Sequence, residues 1–290
     1  MIDLEEELIQ TARRHLPPDA AEEWIRLMRP AINLRSRKRG TEPVGHLGGL
    51  PALPSGMAWP AWNGDALNFV ASLDCARLPI AALDLPLPAE GTLLFFCIDA
   101  EDDRFEIGEG PSVDVGVPES MAGMRVLHLP PGVEVTERQA PAGLRPFERV
   151  ELGARLLATG PDTSQPELRA AVRRLGGSAW EALEDREYEE GMYNAVLDRL
   201  PRHWHWLGGH AKPKQDAVEL DAAYTAFAGE VGWADPRLER EALRWRPLAQ
   251  FDSDEAAGMK WSDIGTIYFL VRPEDLAARR FDAASLTVQH

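Results

Sequence analysis

FDSDEAAGMKWSDIGTIYF, residues 251–269, sets four carboxylates (Asp252, Asp254, Glu255 and Asp263) between two apolar runs. Such a stretch is either a cation-binding loop or an acidic turn joining two strands, and the other end of the chain decides between them. Near the front, Leu47-Gly48-Gly49 is followed by LNFVASLD ending at Asp74, by GTLLFFC from Gly91, and by MRVLHL. Near the back the order recurs as Leu207-Gly208-Gly209, WRPLAQFD ending at Asp252, GTIYFLV from Gly265, and ASLTVQ. Ala71 and Asp74 match Ala249 and Asp252, while Gly91, Thr92 and Phe95 match Gly265, Thr266 and Phe269. Alternation in LNFVASLD is the period of a half-buried strand, and the unbroken apolar run Leu93–Ile98 that of a strand covered on both faces. A short carboxylate at a strand end accepts backbone N–H groups and sets the turn, so Asp74 and Asp252 read as architectural before they are reactive. Gly91 and Gly265 open the next strand of each half, either because the turn needs positive φ or because another backbone comes close.

Outward from these anchors, residues 2–15 and about 19–28 carry apolar groups at helical spacing, separated by Pro17-Pro18 and closed by Pro30. The Gly- and Pro-dense stretch 41–66 is an ordered loop with Trp59 and Trp62 to bury. Helical patterns occupy 166–199 and 217–230, and strands near 245–251, 265–271 and 284–289 finish the chain. The expected fold is α+β, an antiparallel sheet built from two pseudo-equivalent halves with linking helices and an N-terminal helical pair. The expected organisation is an extension over 1–40 and one domain over 41–290, with halves at about 41–135 and 200–290 joined by a helical segment, 160–199.

The 290 residues are 44% hydrophobic and 27% charged, an ordinary globular balance, and the net charge is −16. That charge argues against nucleic acid and anionic membrane as partners, since both are bound by clustered Lys and Arg. The basic run Arg35-Ser36-Arg37-Lys38-Arg39 reads as a solvated strand end. Cys75 and Cys97 fit neither a disulfide framework nor a CxxC metal site and read as core residues. The first residues lack the pattern of an export signal and no stretch reaches about 18 apolar residues, so the cytoplasm is the expected location.

The residues LGGLPALPSGMAWP, LNFVASLD and LPLPAEGTLLFF in the first half, and LAQFDSDEAAGMKWSDIGTIYFLVRPEDLAARRFD in the second, resemble the YwqG-like family of uncharacterised bacterial proteins. The likeness extends over roughly 30–290 and implies an α+β domain with no assigned activity. Such proteins tend to carry an LGG-P---Q segment in the second half. Here LGGHAKPKQ keeps Gly208, Gly209, Pro213 and Gln215 around an inserted His210-Ala211-Lys212.

Counted as an EF-hand from Asp252, position 3 is Asp254, but positions 5 and 6 are Ala256 and Ala257 and position 12 is Asp263, so that motif fails. Asp74, Asp252, Asp254, Glu255 and Asp263 remain candidates for a looser ligand or divalent-cation site. His203, His205 and His210 form a weaker metal alternative, because histidines two apart share one strand face. No cofactor is predicted and no nucleophile sits in a catalytic motif. Trp59 and Trp62 are candidate partner contacts. The leading expectation is a non-catalytic module that neutralises or escorts a basic protein partner. The alternative is a ligand- or metal-binding enzyme with its site in the cleft between the halves.

Overall fold

The computed structural model describes residues 4–106, 109–184, 186–201, 205–262 and 264–290. Ten strands form one sheet: β1 (Arg29–Ser36), β2 (Gly45–Leu47), β3 (Asn68–Asp74), β4 (Thr92–Cys97), β5 (Met124–Leu129), β6 (Val150–Thr159), β7 (Trp206–Gly208), β8 (Arg246–Asp252), β9 (Thr266–Val271) and β10 (Ser285–Gln289). Their order is β10-β9-β8-β7-β1-β6-β2-β3-β4-β5, and the pairings are antiparallel.

The pairing registers of the two wings match. In the first, Leu47 faces Ala71, Ala71 faces Phe95, Asp74 faces Thr92 and Thr92 faces Leu129. In the second, Leu207 faces Ala249, Ala249 faces Phe269, Asp252 faces Thr266 and Thr266 faces Gln289. Each wing carries one register shift, between Phe69 and Ala71 and between Pro247 and Ala249. The wings meet at the long pair β1·β6, where Arg35 faces Gly153.

Inward-facing residues of both wings share one core that includes Leu47, Ala71, Phe95, Leu207, Ala249, Phe251 and Phe269. The Phe95 ring lies 5.2 Å from those of Phe251 and Phe269, which belong to the opposite end of the strand order. The sheet therefore curls until its ends face each other, close to a barrel. Met121 Sδ, just before β5, lies 3.4 Å from the backbone N of Leu286 on β10.

Two N-terminal helices, α1 (Leu4–His15) and α2 (Pro18–Arg26), pack with α3 (Pro166–Leu175), α4 (Gly177–Glu184) and α5 (Arg186–Leu197) in a separate apolar cluster around Trp24. Trp24 Nε1 donates to Pro161 O at 2.7 Å. A Cβ on Gly160 would lie 1.8 Å from the Trp24 ring, so this position admits only glycine without a shift. α6 (Val218–Ala226) and α7 (Pro236–Ala242) cover the outer face of the second wing through Tyr268 and Leu270. Over the first wing, Leu53, Trp59 and Trp62 cover Phe69, Leu94 and Phe96. A short helix, α8 (Pro273–Ala277), leads into β10. No helix among the described residues is long and apolar enough to cross a membrane.

Candidate functional site

The acidic stretch that follows β8 is a hydrogen-bonded turn. Asp252 Oδ1 accepts from Thr266 Oγ1 at 2.6 Å and lies 3.7 Å from Lys214 Nζ. The turn amide is capped one step later, by Asp254 Oδ1 accepting from Ala257 N at 2.9 Å. His205 Nδ1 accepts the Asp252 N–H at 3.0 Å, which leaves the ring proton on Nε2, directed at Asp254 Oδ2 3.1 Å away. Both ring nitrogens of His205 are thus engaged. Glu255 is exposed, and Asp263 and His203 lie outside the described residues. In the first wing Asp74 does set the turn itself, accepting from Ala76 N at 3.0 Å and pairing with Arg77 Nε at 3.0 Å. Gly91 meets both reasons offered for it, with φ +91° and a Cβ that would stand 2.4 Å from Leu129 O, whereas Gly265 meets the second, its Cβ falling 2.2 Å from Trp261 O.

His210 is buried between β6 and the end of α2. Its Nε2 donates to Leu27 O at 2.6 Å, and burial, helped by nearby Arg29, pushes its pKa down to about 3, so the ring is neutral. No group of three or more His, Cys, Asp or Glu that could hold a metal ion occurs among the described residues. Trp59 stands edge-on to Phe96 and donates its indole N–H to Leu67 O at 2.8 Å. Trp62 packs under Gly123, where a Cβ would meet its ring at 2.8 Å.

The segment after Gly209 is held by polar side chains on the outer face of the second wing. Gln250 Oε1 accepts from Lys212 N at 3.0 Å, and Tyr268 Oη donates to Lys212 O at 2.7 Å. Gln289 Oε1 accepts from Lys214 N and Gln215 N at 3.0 and 3.1 Å, while its Nε2 donates to Asp216 O at 2.8 Å. The buried Lys212 ammonium lies 3.3 Å from Asp162 Oδ2 and 3.7 Å from the centre of the Tyr193 ring. Burial lowers its pKa and Asp162 opposes that shift. Sequence reading passed over these residues, although glutamines in otherwise apolar strands were a visible signal.

Beside this segment Glu219 is fully enclosed. Burial pushes its carboxyl up to about 7, against Arg246, Arg29 and Gln165. Oε1 accepts from Gln165 Nε2 at 3.0 Å, and Oε2 has no hydrogen-bond partner among the described residues. The cavity here is about 10 Å³, roughly the room one water needs.

A larger group of charges lines an open concavity elsewhere. A cleft of about 250 Å³ is bounded by Asp99, Glu101, Asp102 and Asp103 after β4, by Arg145, Phe147 and Glu148 before β6, and by Ala257, Gly258 and Lys260 from the acidic turn. Glu148 N donates to Ala257 O at 2.8 Å, which ties the second and third segments together. Burial pushes Asp99 up to about 6, assisted by Asp102 and Glu101. Burial works the same way on Asp102, but Arg104 Nε at 2.8 Å and Asn68 Nδ2 at 2.7 Å prevail and lower its pKa. Five carboxylates therefore stand against three cations around the half-buried Phe147 ring: Arg104, paired with Asp102, Arg145, 3.7 Å from Asp103, and Lys260. A concavity of this charge and size suits a cationic group with an apolar or planar body. A second, wider concavity of about 500 Å³ lies over β3, β4 and β5, with Asp74 and Glu90 at its rim.

Residues 45–289 match the family described as "Domain of unknown function (DUF1963)", and the chain belongs to that family. The match begins at β2 and ends at β10. No curated protein matches the chain.

Proposed function

We propose that this member of a family defined only by its shared domain is a non-catalytic, cytoplasmic binding module that receives a basic segment of a protein partner in the acidic cleft between two pseudo-equivalent halves. The equivalence of the halves is supported by the matched registers Ala71–Phe95 with Ala249–Phe269 and Asp74–Thr92 with Asp252–Thr266. The observation that carries the binding reading is the surplus of carboxylates around Phe147, five against Arg104, Arg145 and Lys260. A net charge of −16 adds long-range attraction for a basic partner, which raises the encounter rate and makes it salt-dependent.

The test is a titration of a fluorescein-labelled arginine-rich peptide by fluorescence anisotropy, on the wild type and on Glu101→Gln/Asp103→Asn/Glu148→Gln. All three positions are exposed or nearly so, and the substitutions keep side-chain volume. Binding at low salt that weakens as salt rises, and falls by about tenfold or more in the variant, supports the reading. Equal affinity of variant and wild type, or no binding, defeats it.

A second reading, a small-ligand or cation site in the same cleft, is favoured by Asp99, whose raised carboxyl would be poised to exchange a proton near neutral pH. A thermal-shift series with divalent ions tests it. A stabilisation by one ion that Asp99→Asn removes supports this reading, and none with any ion opposes it.

A further inference from the structure

The second wing shows what lies over its own outer face. Gln250, Asp252, Tyr268 and Gln289 are the posts that hold residues 212–216: three by hydrogen bonds to the backbone, and Asp252 by its approach to the Lys214 ammonium. The pairing registers put Ser72, Asp74, Leu94 and Leu129 at the corresponding positions of the first wing. Those four residues line the concavity of about 500 Å³. In the first wing the segment that follows the Gly-Gly pair takes another course. Ala52–Pro54 pairs with Val135–Glu137 and Leu53 packs with the buried Leu94 and Leu129, which leaves a groove between this ribbon and Ser72 and Asp74.

We infer that the groove over β3, β4 and β5 docks an extended, lysine-bearing segment of a protein partner, in the way the chain's own residues 212–216 lie over β8, β9 and β10. Three features fix the chemistry of the occupant. Asp74 ends β3 as Asp252 ends β8, and Asp252 faces a lysine. Glu90 adds a second carboxylate at the rim. Val133 and Val135 stand exposed on the far side, above the buried Leu94 and Leu129, an apolar wall that accepts the four-carbon stem of a lysine whose ammonium stays at the carboxylates. Asp74 holds Arg77 at 3.0 Å, but both side chains are about half exposed, and an exposed pair of this kind contributes little and yields to a better-enclosed cation. The apolar posts replace the glutamines, so the groove depends on the lysine side chain where the second wing depends on backbone hydrogen bonds.

This inference rests on the basic-partner reading and names the segment of the partner, but it uses a different surface from the acidic cleft. The probe is a labelled peptide with the sequence GHAKPKQD, the chain's own residues 209–216, and the same peptide with both lysines replaced by glutamine. It is titrated by anisotropy against the full chain, against Asp74→Asn, against Val133→Trp and against the cleft variant Asp103→Asn. Val133 is 40% exposed, so a tryptophan there fills the groove without entering the core. Circular dichroism melting of each variant confirms that it is folded. The expected result is binding to the wild type that weakens by about tenfold in both groove variants and on loss of the peptide lysines, and by clearly less in Asp103→Asn. Absence of binding at millimolar peptide, equal binding of the glutamine peptide, or insensitivity to both groove variants overturns the inference. Loss in Asp103→Asn alone overturns it too, and assigns the peptide to the cleft instead. Failure here with successful arginine-peptide binding in the cleft leaves the proposed function standing.

Discussion

Glu219→Gln should stabilise the protein at alkaline pH and do little at acidic pH. The folded-state carboxyl sits at about 7 against an ordinary 4.5, because it is enclosed between Gln165, Arg29, Arg246 and the neutral His210. A carboxyl whose folded pKa lies above its unfolded one is protonated in the native state while the unfolded chain has already released the proton. Native stability therefore falls as pH rises from about 4.5 to about 7 and is level beyond. At about 1.4 kcal/mol per pH unit, the gap amounts to about 3 kcal/mol of destabilisation of the wild type at pH 8. Glutamine cannot ionise, keeps nearly the same shape, and retains an oxygen for Gln165 Nε2, so the variant escapes that cost. Urea denaturation of both proteins at pH 5 and pH 8 measures it, and groups common to both proteins largely cancel in the difference. The expected gain of the variant is about 3 kcal/mol at pH 8 and under about 1 kcal/mol at pH 5. A difference that does not change between the two pH values, or a variant less stable at pH 8, would refute the reasoning and show that Arg29 and Arg246 keep Glu219 ionised.

Three further substitutions test the architecture. Gly265→Ala should cost about 3 kcal/mol in chemical denaturation, because its Cβ would stand 2.2 Å from Trp261 O and backbone must move; a neutral effect would mean that the turn is slack. Gln289→Leu, which imports the residue of the first wing, removes the acceptor for Lys214 N and Gln215 N and should cost about 2 kcal/mol, with faster proteolysis within 210–216. Unchanged cleavage there would count against the account of how that segment is held. Trp24→Ala should cost about 3–5 kcal/mol by emptying the space above Gly160 and orphaning Pro161 O, read as a loss of melting temperature.

The strands that carry the matched wings were legible because their signals are local. Alternation in LNFVASLD, the apolar runs after Gly91 and Gly265, and terminal aspartates give period and end point without knowledge of neighbours. The central pair was not. β1 starts at Arg29-Pro30 and ends in a basic run, and β6 has Gly153 at its middle and exposed Leu156, so neither shows a clean period. Their strand character comes from pairing with each other over eight positions, which is a tertiary fact. α7 was hidden for a similar reason: seven residues starting at Pro236 are too short for a periodic signal. Of the candidate site, sequence could see the carboxylates but not which of them share a concavity. Asp99–Asp103 and Glu148 are separated by more than forty residues and meet only because the sheet curls. The turn carboxylates drew attention by density, yet density at a turn is what hydrogen-bond capping also produces, as Asp254 and Ala257 demonstrate.

Hydrogen–deuterium exchange of the whole chain, with and without the arginine-rich peptide, tests the acidic-cleft claim most directly. At low salt the peptide should slow exchange in 99–105 and 255–261 together, and the protection should fade as salt screens the carboxylates. Saturating peptide that leaves both segments unchanged, or protection confined to surfaces remote from Phe147, would contradict it.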